Sequence, residues 1–157
     1  MIHRIRIATG SDAAECVRLR GQTRQNAISP ERLAAIGITA ASWGADIDSG
    51  QLPGFVCVVD EAIVGYCFGD RDSGEVVVLA LLPAFEGAGL GKALLRAVIE
   101  LLTCFGHRRL FLGCATDPSA RSFGFYRHLG WVPTGRLDAH HDEILELRIE
   151  ADARAVR

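Results

Sequence analysis

Apolar and polar positions change rhythm several times along this chain, and each change marks an element. The opening "MIHRIRIATGSD" alternates apolar with basic residues, and "IRI" at 5–7 predicts a short strand. Asp12 followed by Glu15 fits a capping box for a helix running to about Gln25. "SPERLAAIG" starts again, with Ser29 as cap and Pro30 at the first helical position. The ragged pattern through "ITAASWGADIDSG" predicts two short helices, or a helix and a loop.

The middle of the chain is clearer. "FVCVVDEAIVGYCFGD" reads as a hairpin turning at Asp60 and Glu61. "EVVVLALL", 75–82, is a β-branched strand ended by Pro83. Leu90, Ala93, Leu94, Ala97, Val98, Leu101 and Leu102 then repeat with helical spacing, and Gly106 suits a left-handed cap. "RLFLGC" predicts a strand, Ser119 to Leu129 a helix, and "WVPTG" and "ILELRI" two last strands around a polar hairpin. The expected order is β, α, α, β, β, β, α, β, α, β, β. Three consecutive strands imply hairpins, so the fold class is α/β (α+β): a mixed, mostly antiparallel central sheet of about seven strands flanked by about four helices.

Composition narrows the classes. The 157 residues suit one domain, 1–157, and 49% hydrophobic content is enough for one substantial core. A formal charge of -2 gives no basic field for nucleic acid. No apolar run approaches the roughly 18 residues of a membrane span, and the N-terminus lacks the apolar segment of a secretory signal. Five cysteines without a C-x-x-C pair read as reduced core thiols, which points to the cytoplasm. The adjacent His140 and His141 would point to opposite faces of a strand and chelate poorly, so no metal site is expected. A base or substrate contact in the last hairpin suits them better.

The chemistry concentrates in "LALLPAFEGAGLGKALLRAV", 79–98. Gly87, Gly89 and Gly91 stand at alternate positions between a strand and a helix. The dinucleotide fingerprint G-x-G-x-x-G fails on spacing, and a nucleotide P-loop would need glycine at Glu86 and a hydroxyl at Ala93. Alternating glycines still leave backbone N–H groups unshielded, and a helix start adds unpaired N–H groups and a positive dipole end. Together they make an anion site. A turn that merely needs positive φ, or tight helix–sheet contact, accounts for the same glycines.

Two motifs together resemble the GCN5-related N-acetyltransferase (GNAT) superfamily. The first, "L-A-L-L-P-A-F-E-G-A-G-L-G-K-A-L-L", is similar to its strand, proline and Q/R-x-x-G-x-G/A turn, with Gly89 and Gly91 in register. The second, "SARSFGFYRHLGW", is similar to its N-x-x-A-x-x-F-Y-x-x-x-G-F helix, with Phe125, Tyr126, Gly130 and Trp131 in register. The resemblance covers about residues 54–135. It departs at Glu86, a carboxylate where the pattern has Gln or Arg, at Ser119 for Asn, and at Ser122 for Ala.

The resemblance implies a GNAT-like acyl-CoA-binding fold and an N-acetyltransferase. Such an enzyme moves an acetyl group from acetyl-CoA to a primary amine by direct attack in a ternary complex. The implied cofactor contacts are Glu86, Gly87, Ala88, Gly89, Leu90, Gly91 and Lys92, with Ser119 and Ser122. Backbone groups near Leu81 and Leu82 would serve the pantetheine arm on a bulged strand. Lys92, Arg96, Arg121 and Arg127 are available cations. Tyr126 matches the family's frequent general acid, or is an amphipathic core residue. Glu75, placed by period two on the face of Val77, Leu79 and Leu81, is the best base, or else an exposed strand-end charge. The partner is a small-molecule or peptide amine, with no nucleic acid and no membrane, and a homodimer would be ordinary for the family. The alternative is a catalytically silent acyl-CoA-binding sensor or interaction domain, which Glu86 and Ser119 favour.

Overall fold

A computed structural model of the chain describes residues 2–150. The chain runs β1 (His3–Ile7), α1 (Ala13–Arg20), α2 (Pro30–Ala35), α3 (Ala40–Asp48), β2 (Gly54–Val59), β3 (Ala62–Gly69) and β4 (Val76–Leu81). It continues through α4 (Leu90–Cys104), β5 (Arg109–Cys114), α5 (Arg121–His128), β6 (Val132–Leu137) and β7 (Glu143–Arg148). The ragged stretch after Pro30 resolves into two short helices, one of the two outcomes expected, so five helices stand among the described residues where about four were expected.

The strands form two antiparallel sheets, ordered β1-β2-β3-β4 and β5-β7-β6, where one sheet was expected. Among the described residues they meet at a single parallel bridge, Glu75 with Phe111, where the Phe111 N–H reaches the Gly74 carbonyl at 3.4 Å. From there β4 and β5 diverge. The β2–β3 hairpin turns where expected. Asp60 and Glu61 both take positive φ, 48° and 65°, which suits a turn following the right-handed twist of its strands.

Helix α4 lies on one face of the first sheet. Its buried Leu90, Leu94, Leu95, Val98 and Leu102 form one stripe, packing with Cys57, Cys67 and Val76. Burying each such leucine or valine contributes about 1.5–3 kcal/mol, so the turn ahead of the helix need not be stable by itself. Helices α1 and α3 cover the opposite face. There Trp43, Tyr66 and Phe68 pack with ring centroids 5.4–5.5 Å apart, alongside Val78 and Ala80.

Three local expectations change. Helix α1 ends at Arg20 instead of near Gln25, because Gly21 follows and the Ile28 N–H returns to the Arg20 carbonyl at 3.0 Å. Residues 22–28 become an irregular strap. At the helix start, the capping box is Thr9 with Asp12, not Asp12 with Glu15. The Asp12 carboxylate accepts the Thr9 N–H at 2.8 Å and both terminal nitrogens of Arg6 at 2.8 and 2.9 Å. Glu15 instead accepts the Ile63 N–H, tying α1 to β3.

The third change is where β4 bulges: the resemblance implies a bulged strand, and the bulge falls at Val77. Phe68 pairs with Val78 and Gly69 with Val76, leaving Val77 as an extra residue in β4. Alternation breaks there. Val76 packs into the α4 core with Leu79 and Leu81, whereas Val78 and Ala80 pack on the α1–α3 side. Glu75 therefore faces away from Leu79 and Leu81, contrary to the unbroken period of two.

Candidate functional site: the cleft between the parted strands

The divergence of β4 and β5 opens a cleft of about 480 Å³. Val76–Leu81 form one wall and Leu112–Ala115 the other. Glu86, Gly87, Gly89, Gly91 and Lys92 lie at one mouth with Arg121, Ser122, Phe125 and Tyr126 of α5. Arg20 and residues 23–26 of the strap border it, and Asp142 reaches in from the last hairpin.

Backbone groups line the β4 wall. The Leu82 N–H donates to the Val64 carbonyl at 2.8 Å, and Ala80 and Val78 pair with Tyr66 and Phe68. Antiparallel alternation then turns the N–H and C=O of Leu79 and Leu81 away from β3. Because β4 is the last strand of its sheet, these groups face the cleft.

The glycine turn has no packing role. Gly87 and Gly89 have φ of +82° and +81°, and a Cβ at either would meet nothing within 4 Å. Positive φ, not close contact, demands glycine there. Gly89 is the N-cap of α4, and no side chain caps that end. The first helical bond is from the Ala93 N–H to the Gly89 carbonyl, so the N–H groups just before it have no partner within the helix. The turn and the helix dipole together form a positive concavity at the cleft mouth.

Glu86 does not stand there as a bare negative charge. Its carboxylate, 14% exposed, accepts the Arg24 Nε at 3.0 Å and lies 3.7 Å from an Arg121 nitrogen. Gln25, beside Arg24 in the strap, accepts the Arg121 N–H at 3.1 Å.

Tyr126 is almost fully buried, edge-on to Phe125 and Trp131 with centroids 5.1 and 6.1 Å away. Its hydroxyl makes no hydrogen bond among the described residues. Burial, and then the neighbouring Cys67 and Cys114, push its pKa well above the ordinary phenol value, so it stays a proton donor at neutral pH. Asp142 shifts in the same direction. Burial and then the Asp138 charge raise its pKa, with His140 opposing. Glu75 is half-buried and raised too, by burial first and then by Asp70 and Asp138.

The profile of the Acetyltransferase (GNAT) family matches residues 25–131. The chain belongs to that family. An uncharacterized N-acetyltransferase of Mycobacterium tuberculosis is 29% identical over 126 residues, covering 74% of this chain and 80% of the relative. The fold is similar to the PaiA N-acetyltransferase of Thermoplasma acidophilum in complex with coenzyme A. That TM-score is 0.77, with 17% identity over 94% of this chain and 99% of the other. It is also similar to yncA, a putative acetyltransferase of Salmonella typhimurium with its cofactor acetyl-CoA. Here the TM-score is 0.73, with 17% identity over 98% and 97% of the two chains. At such identities the likeness is one of fold.

Against the GNAT pattern, the structure brings Leu81, Glu86, Gly87, Gly89, Gly91, Lys92, Ser122 and Tyr126 to one cleft. It leaves others outside the lining. Leu82 spends its N–H on Val64, Leu90 is buried in the core, and Ala88 is exposed. The Ser119 hydroxyl is bound locally to Asp117 at 2.8 Å. Glu75 sits behind the cleft at the bridge to Phe111, close enough to feel Asp138. Among the cations, Lys92 and Arg121 line the cleft, whereas Arg127 is paired with Glu143 at 2.5 Å and stacked on Phe123. Arg96 lies in a separate groove beside Trp131. His140 and His141 do not line the cleft. Among the described residues no group of three or more His, Cys, Asp or Glu could hold a metal ion, and no helix is long and apolar enough to cross a membrane. Sequence reasoning missed Arg24, which belongs to no periodic segment and meets Glu86 across 62 positions. The last hairpin does supply a cleft residue, but it is Asp142 and not either histidine.

Proposed function

We propose that the protein transfers an acetyl group from acetyl-CoA to a primary amine by direct attack within a ternary complex. One observation carries the reading. The uncapped start of α4, with its two positive-φ glycines, opens onto a cleft that also holds unpaired β4 backbone and Tyr126. These residues fit acetyl-CoA. Backbone N–H groups over Gly87–Lys92 suit a pyrophosphate, and Leu79 and Leu81 offer the strand-like pairing that an amide-bearing pantetheine arm needs. When bound, acetyl-CoA supplies a thioester carbonyl open to an amine.

The chain's own groups then divide the work. The two walls hold both reactants in one recess, which replaces a bimolecular encounter by proximity. An N–H on the β4 wall is available to stabilise negative charge developing on the carbonyl oxygen. Tyr126 keeps its proton and donates it, or a hydrogen bond, to the departing sulfur. Asp142 lines the cleft and receives the amine's proton, with Glu75 behind it within reach of a water relay. The second reading, an acyl-CoA-binding domain without catalysis, draws on Glu75 lying outside the lining.

Calorimetry with coenzyme A, followed by thiol release from acetyl-CoA across a panel of amines, tests the reading. Wild-type protein should bind and release thiol. Gly89→Val, which forces a β-branched residue to positive φ at the turn, should bind at least tenfold more weakly. Binding without thiol release for any amine would favour the silent domain. Absence of binding by folded wild type would remove both readings.

A further inference from the structure

Removing a negative charge beside a phosphate site ordinarily tightens phosphate binding. The surroundings of Glu86 point the other way. Its carboxylate is mostly covered and is shared by two arginines from distant parts of the chain, Arg24 of the strap and Arg121 at the start of α5. Arg24 engages it through Nε, and both of its terminal nitrogens are without a partner among the described residues. Both arginine side chains remain 58% exposed. The three residues together carry a net charge of about +1 beside the glycine turn, with guanidinium N–H groups to spare. Gln25 adds a second tie by accepting the Arg121 N–H, where α5 has no side-chain cap of its own.

We propose that Glu86 is a positioning residue that holds Arg24 and Arg121 at the mouth of the cleft as a phosphate-binding pair. The proposal rests on the acyl-CoA reading above and deepens it. Glu86 does not touch the phosphates. It fixes two flexible side chains in advance, so that less of their freedom is lost when phosphate arrives. The same pair joins the strap to α5, so the strap, which also borders the cleft through Thr23 and Asn26, is drawn into place by the group that binds the donor.

The test uses full-length wild type, Glu86→Gln, Arg24→Ala and the double variant, each first shown to be folded by its melting curve. Calorimetry with coenzyme A gives the dissociation constants. Glu86→Gln should weaken binding roughly 10-fold although it removes a like charge, and Arg24→Ala should do much the same. The double variant should be no more than about twofold worse than Glu86→Gln, because that change has already released Arg24. In steady state, Glu86→Gln should raise the KM for acetyl-CoA and leave kcat within about twofold, a split that a general loss of stability does not give. Equal or tighter binding by Glu86→Gln, or losses that multiply in the double variant, would overturn the proposal while the acyl-CoA reading stands. A wild type that binds no coenzyme A would overturn both.

Discussion

Asp138 occupies the space that a side chain at Gly113 would need: a Cβ at Gly113 would stand 2.5 Å from the Asp138 Oδ2. That carboxylate is pinned. Its Oδ1 accepts the N–H groups of His140 and Asp142 at 2.8 and 3.0 Å, so it closes the turn bearing Asp142 where that turn lies over Gly113 of β5. Gly113→Ala should push the hairpin outward and misplace Asp142. A misplacement of about 1 Å at a site costs up to about 10²-fold in rate. The expected outcome is a fall of roughly tenfold or more in kcat/KM for the amine, with coenzyme A affinity within about twofold. Equal losses in both would show that the whole cleft had deformed.

Asp142 should also shape the pH profile. Its pKa is raised by burial and by Asp138, and a base must be ionised to act. Activity should therefore fall as pH drops through a value above the ordinary aspartate range. Asp142→Asn should lower kcat by roughly 10²-fold and remove that inflection. A variant that keeps the wild-type acid limb would transfer the role to Glu75, whose pKa is also raised.

Tyr126→Phe keeps the ring and its edge-on contacts with Phe125 and Trp131. Loss of the hydroxyl should lower kcat by roughly 10²–10⁴-fold if the phenol supplies a proton, with little change in coenzyme A binding. Burial pushes this pKa up, so no loss of activity from ionised Tyr126 is expected at mildly alkaline pH. Unchanged turnover would reduce Tyr126 to packing.

Stability has its own acid signature. The Asp12 pKa is lowered, first by the hydrogen bond from Arg6, with burial opposing and the Thr9 N–H adding to the lowering. A carboxylate depressed on folding contributes stability that is complete above its ordinary value and lost as pH falls through the depressed one. Asp12→Asn should cost about 1–3 kcal/mol near neutral pH, from broken charge-assisted hydrogen bonds. The cost should shrink in acid below the ordinary carboxylate range. Denaturant melts of both proteins across that range would measure it.

Much of this architecture is legible in the sequence, for local reasons. Helix α4 declares itself because its leucines repeat with the helical period and land on one buried stripe. Ser29 caps α2 through its own side chain, which accepts the Arg32 N–H, and Gly106 takes the left-handed conformation expected of it. The glycine turn is legible because positive φ is a property of single residues. What escapes notice depends on contacts between distant segments. The Val77 bulge turns Glu75 to the other face, and no propensity in "EVVVLALL" announces where along the strand it falls. Arg24 looks like one more solvated arginine until the strap folds across to Glu86. Asp142 sits in a polar turn whose position against β5 depends on Asp138 fitting over a glycine.

The single bridge between Glu75 and Phe111 has a consequence for the company this chain keeps. Past it, two strands present bare edges, and a bare edge is a template on which another polypeptide can add a strand. Here both edges face inward, with the strap and the starts of α4 and α5 crowding the approach. A slender, flexible molecule with amide groups can thread between them, whereas a broad sheet from a neighbouring protein cannot. The parted seam thus lends its hydrogen bonds to a guest and withholds them from aggregation. A guest lying there would also stitch together two sheets that, among the described residues, share one rung.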